Sequence, residues 1–360
     1  MAHIVVMYAS IGAGHQRPAW EFVNRAEAVG HYAQPADLIA FAPAGRLIRG
    51  FFRLLISRTP RLWAMAAMAL DHPHAPSRLL TAMINRTARR TERFITWESV
   101  DLVISTYPLG GRVAASALAR AGIKAPIVTY LTDPAVHAMW IDDVTNRYLT
   151  TWHFTTDALQ LQTAVPVRTV APALAPCFSV PHPPSVPEAR ETGMPRALVA
   201  SGSWAVGDVV GAVRDLVADG HYQPVVVCGR NTELLAAMDG IEGVEAHGWV
   251  DDMAGLMRTC AVAVINSGGS TLAEAAAAGL PVIHHRPLPG QGRLNAAACH
   301  AATGMPVSTS RPELAAALER VRPIGDQLGS EDPLSAALDM LLDRDEAPWT
   351  ATIPALEVAA

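Results

Sequence analysis

A chain of 360 residues is too long for one ordinary compact core and fits two domains, and with 50% of its residues hydrophobic both can be well packed. Its formal charge of −5 speaks against nucleic acid as the main partner, because binding by counterion release needs a clustered basic excess. The four cysteines, Cys177, Cys228, Cys260 and Cys299, lie far apart with no C-x-x-C pair, which argues against a disulfide framework or a thiolate zinc site and points to a reducing cytoplasm.

From Met1 the chain passes directly into the strand-like His3-Ile4-Val5-Val6-Met7-Tyr8, without the basic region and cleavage site of a secretory leader, so a cytoplasmic protein is expected. No uninterrupted apolar run reaches about eighteen residues; the closest stretch, 46–70, is broken repeatedly by arginine, so no membrane span is expected. Short β-rich apolar runs alternate with longer alanine- and leucine-rich segments throughout, the pattern of βα units building parallel sheets. The first half predicts strands over 4–8, 102–105, 127–131 and 147–150, and the second over 196–200, 224–228, 244–247, 261–265 and 281–284. Each half reads as a doubly wound α/β sheet.

The first chemical signal is Ser10-Ile11-Gly12-Ala13-Gly14-His15, which follows the first strand and precedes an expected helix. Glycines at such a turn let a ligand approach the backbone, and helix N-terminal amides favour negative charge, although a purely structural turn has the same look. Residues 46–93 come next, with Arg46, Arg49, Arg53, Arg58, Arg61, Arg78, Arg86, Arg89, Arg90 and Arg93 against only Asp71 and Glu92. Phe51, Phe52, Leu54, Leu55, Ile56, Leu62, Trp63 and Met65 are interleaved. Apolar groups that can enter a headgroup boundary, beside arginines that can meet anionic lipid, predict a peripheral membrane contact or an acceptor groove. The competing reading turns the apolar residues into the N-terminal core and leaves the arginines solvated.

Pro181, Pro183, Pro184, Pro187 and Pro195 then crowd into an extended linker. The expected organisation is a Rossmann-like domain over 1–180, a linker over 181–195, a second Rossmann-like domain over 196–345 and a tail over 346–360. An amphipathic helix over 333–342 is placed to pack back on the first domain.

The strongest signal lies at 265–295. A strand ends at Ile265, and Asn266-Ser267-Gly268-Gly269-Ser270-Thr271 opens a helix that Gly279 and Pro281 terminate. Hydroxyls and free amides at that start, with the helix dipole, can hold a diphosphate without a cation. Glu274, one turn in, can accept two hydrogen bonds from a ribose diol. The same residues also read as an ordinary capped helix, with Ser270 or Thr271 as N-cap and Glu274 completing a capping box. Gln291 and Asn295 follow in a loop at a sheet's carboxyl edge, as uncharged groups suited to sugar hydroxyls, and Arg230 ends another strand at that edge.

The run from Gly248 through Asn295 resembles the nucleotide-sugar half of glycosyltransferase family 28, which includes MurG, monogalactosyldiacylglycerol synthase and bacterial diacylglycerol glucosyltransferases. The first half resembles the lipid branch: Gly12-Ala13-Gly14-His15 is similar to its glycine-rich turn, and Thr132-Asp133 with His137 and Trp140 to its T-D-x-x-x-H-x-x-W motif. The resemblance implies a GT-B fold, two Rossmann-like domains facing a central cleft. It implies uracil near the backbone of Val250, ribose on Glu274 and the diphosphate held by Ser270 and Thr271, with Ser267, Gly268 and Gly269 in the same donor-binding segment. Gly202, Ser203 and Gly207 would face the phosphates, with Gly14 joining the donor-binding set from the other lobe. Arg49, Phe51, Phe52, Arg53, Trp63 and Trp140 form the expected acceptor or membrane set. One departure is that Gly290-Gln291-Gly292 stands where the lipid branch usually has Gly-Gln-Glu, an acid expected on the donor hexose.

The implied reaction is an inverting, metal-independent transfer of a hexose or N-acetylhexosamine from a UDP-sugar to a hydroxyl of a lipid-like acceptor. No cofactor is expected beyond that donor, and no metal, since neither cleft-forming region carries an Asp-x-Asp pair. His15, Asp133 and His137 are the candidate bases. A soluble natural-product acceptor, a nucleotide-sugar-binding protein without turnover and a sugar-nucleotide epimerase are the alternatives. The expected location is the cytoplasm, peripheral on the inner face of the plasma membrane.

Overall fold

The computed structural model describes residues 1–59, 78–178 and 193–342, so Trp63, most of the proline-rich linker and the tail lie outside the described residues. The first sheet is built from β1 (His3–Tyr8), β2 (Tyr32–Asp37), β3 (Leu102–Ser105), β4 (Ile127–Leu131), β5 (Arg147–Thr150) and β6 (Val167–Thr169). All its pairings are parallel, in the order β2-β1-β3-β4-β5-β6. Helices cover both faces, which is why β1, β3 and β4 are apolar on alternate and adjacent positions alike. One such helix, α1 (Gln16–Ala28), turns Ala19, Phe22, Val23 and Ala26 onto the sheet at helical spacing. The remaining helices of this lobe are α2 (Leu38–Phe41), α3 (Gly45–Arg58), α4 (Arg78–Thr91), α5 (Gly110–Ala121) and α6 (His153–Gln160).

The second sheet comprises β7 (Arg196–Ala200), β8 (Gln223–Val227), β9 (Glu245–His247), β10 (Val262–Ile265), β11 (Val282–His285) and β12 (Val307–Ser308). It is again wholly parallel, in the order β12-β11-β10-β7-β8-β9. Its helices are α7 (Val209–Asp219), α8 (Thr232–Asp239), α9 (Met253–Arg258), α10 (Gly269–Ala277), α11 (Gln291–Thr303) and α12 (Arg311–Leu318).

Strand order locates the functional crevice. In the first sheet the winding reverses between β1 and β3, and in the second between β7 and β10. Ligands of doubly wound sheets bind outside the carboxyl ends of the strands at such a reversal. The loops that leave β1, β3, β7 and β10 are those carrying Gly14 and His15, Thr106, Gly202 and Ser203, and Ser267 to Ser270.

The last described helix, α13 (Pro333–Leu342), returns to the first lobe. Leu334, Ala336, Ala337 and Met340 enter the core formed by Ile4, Val6, Phe22 and Leu102. Arg147 donates to the Ala336 carbonyl at 2.9 Å, and Arg25 pairs with Asp332 at 2.7 Å.

Three strands have no counterpart in the sequence reading. β2 contains Pro35, and its position at a sheet edge tolerates the missing N–H. β6 and β12 are also edge strands, of 3 and 2 residues, too short to show a period.

Candidate functional site between the two sheets

His15 ends the β1–α1 loop, and its Nδ1 lies 2.7 Å from the Thr106 carbonyl. A carbonyl only accepts, so Nδ1 carries the proton and Nε2 is the basic atom of the neutral ring. Thr106 returns the contact through its hydroxyl, which donates to the His15 carbonyl at 2.8 Å. Burial pushes the His15 pKa below the ordinary histidine value, outweighing the field of Asp133, so the ring is neutral at pH 7.

Asp133 sits just past β4 and is buried. Trp140 Nε1 donates to its Oδ2 at 3.2 Å, Asn295 Nδ2 to its Oδ1 at 3.2 Å, and Gln291 Nε2 also donates to Oδ2. His137 Nε2 lies 3.4 Å from the same Oδ2. Burial alone would raise this carboxyl's pKa, but the His137 contact and the neighbouring donors more than offset it and hold Asp133 below its ordinary value. Asp133 is therefore an ionised hub joining the lobes, and Gln291 and Asn295 are spent on it. Asn295 further accepts from the Ala135 amide at 3.3 Å and donates to the Ser267 carbonyl at 3.1 Å.

Two sequence expectations are corrected here. Trp140, grouped with the acceptor or membrane residues, is 0% exposed and aims its indole N–H inward at Asp133, so it meets no membrane. Ser267 does not present its hydroxyl to a ligand: the residue is buried, and Oγ lies 2.9 Å from His284 Nδ1. Its backbone is left-handed, φ 78°, a strained conformation for a residue with a Cβ that bends the chain into the next helix.

That helix, α10, begins with Gly268 as N-cap and no side-chain cap, which removes the capping-box reading of Ser270, Thr271 and Glu274. Its first turn lies close against the first lobe. A Cβ on Gly269 would fall 2.1 Å from the Thr132 carbonyl oxygen, so only glycine allows the two backbones to meet. Gly14 faces Ser270 across the same seam, where a Cβ would lie 3.9 Å from the serine Cβ. The Ala13 amide donates to Ser203 Oγ at 3.0 Å, beside Gly202 at φ 69°.

Glu274 is buried on α10 and pairs with Arg17 of α1 at 2.6 Å. Burial raises its pKa, and Arg17 opposes the rise. Arg17 also lies over the Trp249 ring at 5.3 Å, with Arg230 over the same ring at 4.7 Å. Val250, the next residue, is half-buried against the second core. Arg17 was missed from sequence, because a pair 257 positions apart leaves no local pattern.

Gly292 is closely packed: a Cβ would lie 2.9 Å from Leu288 Cβ and 3.0 Å from the Asn266 carbonyl oxygen. A side chain at this position would require Leu288 and its neighbours to shift. On α3, Leu47, Phe51 and Leu54 are 75%, 62% and 52% exposed on one face, with Arg46 and Arg49 exposed on the same helix and Phe52 half-buried. Arg49 also reaches Ser10 Oγ at 3.4 Å. The side chain of Arg53 lies outside the described ones. No group of three or more potential metal-ligating side chains occurs among the described residues, and no helix among them is long and apolar enough to cross a membrane.

Comparison with known proteins matches both halves. The family described as monogalactosyldiacylglycerol (MGDG) synthase matches residues 39–166, and glycosyl transferases group 1 matches 197–322. Processive diacylglycerol beta-glucosyltransferases of Bacillus cereus and Bacillus mycoides are 28% identical over 221 and 223 residues, covering 58% of this chain and 56% of theirs. The chain thus spans about half the length of the curated relatives it matches. Among solved structures, the glycotransferase of kitacinnamycin has a TM-score of 0.60 at 16% identity, covering 94% of this chain and 95% of that one. MurG of Acinetobacter baumannii has a TM-score of 0.59 at 14% identity, covering 95% and 100%. The fold is the GT-B fold of glycosyltransferases; the monogalactosyldiacylglycerol synthase match lies in the first lobe and the glycosyl transferases group 1 match in the second.

Proposed function

We propose that the chain is an inverting glycosyltransferase that moves a hexose or N-acetylhexosamine from a UDP-sugar to a hydroxyl of diacylglycerol or a related lipid, without a metal ion. The observation that carries this reading is the docking of the His15 loop against the uncapped start of α10, with Nδ1–H engaged and Nε2 left as the base. The acceptor hydroxyl attacks the anomeric carbon as the bond to the diphosphate breaks. Its proton passes to His15 Nε2, and the diphosphate leaves with the electron pair against the α10 amides. One displacement converts an α-linked donor into a β-glycoside. Asp133, ionised and already accepting several hydrogen bonds, orients His137, Gln291 and Asn295 instead of taking the proton.

The lipid acceptor is supported by the names of the Bacillus relatives, whose acceptor is diacylglycerol, and by the exposed Leu47, Phe51 and Leu54 beside Arg46 and Arg49. An anionic inner leaflet meets both halves of that face. Vesicle flotation tests it: binding should require anionic lipid, weaken with salt, and be lost in the Leu47→Glu, Phe51→Glu double variant. Equal binding to neutral vesicles would contradict the arrangement.

The reaction itself is tested by offering a panel of nucleotide sugars with diacylglycerol vesicles. The expected result is a β-linked glycolipid formed only with acceptor present. A sugar epimer or free sugar formed without acceptor would replace the reading with an epimerase or hydrolase. Transfer confined to soluble hydroxyl compounds would replace the acceptor.

A further inference from the structure

We infer that Arg17 is a donor-binding residue held in reserve on Glu274: the ribose diol displaces it from that carboxylate, and its guanidinium moves onto the donor's diphosphate. The inference rests on the nucleoside-diphosphate reading of the site and adds to it a residue from the opposite lobe. Three observations support it. Glu274, the expected ribose acceptor, already holds Arg17 Nη1 on one of its oxygens at 2.6 Å, so a diol gripping both oxygens there competes with this pair. The two partners differ in freedom: the Glu274 side chain is 4% exposed and the Arg17 side chain 38%, so the arginine is the one able to move. Its destination is close, because Arg17 stands in the first turn of α1, whose leading loop bonds to Ser203 and approaches Ser270 at the start of α10.

The charges require some such exchange. A diphosphate at the α10 N-terminus lies one turn from the buried Glu274 carboxylate, and the two anions repel. A guanidinium that shifts from carboxylate to phosphate keeps a positive charge between them and exchanges a single charge-assisted hydrogen bond for a geometry in which it can grip phosphate oxygens in a fork. The Trp249 ring, with Arg17 at 5.3 Å and Arg230 at 4.7 Å, offers a face along which the planar group can slide without leaving contact.

The test is calorimetric titration of the full chain with uridine and uridine diphosphate, and with thymidine and thymidine diphosphate. In Arg17→Gln the diphosphate is expected to bind at least about tenfold more weakly. The bare nucleoside should bind as well as before or better, because Glu274 is released. Equal losses for nucleoside and diphosphate, or a gain for both, would make Arg17 a mere interlobe tie and overturn the inference. Where Arg17→Gln does not fold, Arg17→Lys keeps the charge without the fork and is expected to show the same split with a smaller loss; no split there overturns the inference equally. If the wild-type chain binds none of the four ligands, the nucleotide reading falls and takes this inference with it. Binding by the wild type with no split in the variant condemns Arg17 alone.

Discussion

With Nδ1–H held by the Thr106 carbonyl, His15 can take a proton only at Nε2, and burial keeps its pKa below the ordinary 6.5. Protonation removes the base, so kcat/KM should rise with pH through a midpoint below 6.5 and then level. His15→Ala should lower kcat by roughly 10²- to 10⁴-fold and abolish that limb while nucleotide binding persists. Asp133→Asn should keep the limb, because a carboxyl held below its ordinary 3.8 is already ionised there. A limb that survives in the first variant and disappears in the second would transfer the role to Asp133. At this scale sequence was informative about which residue types gather and poor about which way they face. Gly14, His15, Asp133, Ser203, Ser270 and Glu274 lie near one another where the two lobes meet. Trp140 and Ser267 sit in the same motifs yet turn inward, toward Asp133 and His284, and orientation within a motif is decided by partners far away in the chain. Arg17 shows the converse, a central residue with no motif at all.

Among the elements, the strands that run through the middle of each sheet were legible because burial on both faces leaves nothing but apolar, β-rich sequence. β2, β6 and β12 escaped because an edge strand is covered on one side only and tolerates Pro35 or a length of two residues. The start of α10 was legible too, but not its reason. Gly269 is required by the Thr132 carbonyl of the opposite lobe, a contact no local pattern announces. Gly269→Ala sets a Cβ against that backbone oxygen and should cost about 1–3 kcal/mol of lobe closure. Because the clash lies between lobes, it should enlarge the radius of gyration in solution scattering and suppress turnover while barely moving the melting temperature. A large drop in melting temperature with unchanged dimensions would place the strain inside one lobe instead. Gly292 teaches the same lesson, since its departure from the related motif follows from the approach of Leu288 and Asn266.

For the whole molecule, two parallel sheets of different strand order each reverse their winding at a central strand pair, and α13 ties the end of the described chain back to the first core. The α/β pattern and the amphipathic last helix were visible in hydrophobic periodicity; the closeness of the lobes was not, since it depends on glycines and polar pairs spread over the entire length. Buried histidines give this assembly an acid weakness. Burial lowers His284 from 6.5 to about 4, and His15 and His285 are lowered as well. Over that window the unfolded chain binds more protons than the native one, so stability is full above 6.5 and declines as pH falls toward 4. His284 alone should contribute up to about 3 kcal/mol of that decline. Urea unfolding at a series of pH values should show it, with a shallower slope in His284→Asn; an unchanged slope would mean that the ring is not the proton-linked group.

The claim on which the rest depends is that backbone amides and the start of α10 carry the charge of the departing diphosphate. Transfer to vesicle-borne acceptor, measured after exhaustive treatment with a chelator, tests it most directly. The account predicts an undiminished rate. A rate that vanishes with chelator and returns on adding Mn²⁺ or Mg²⁺ would contradict it.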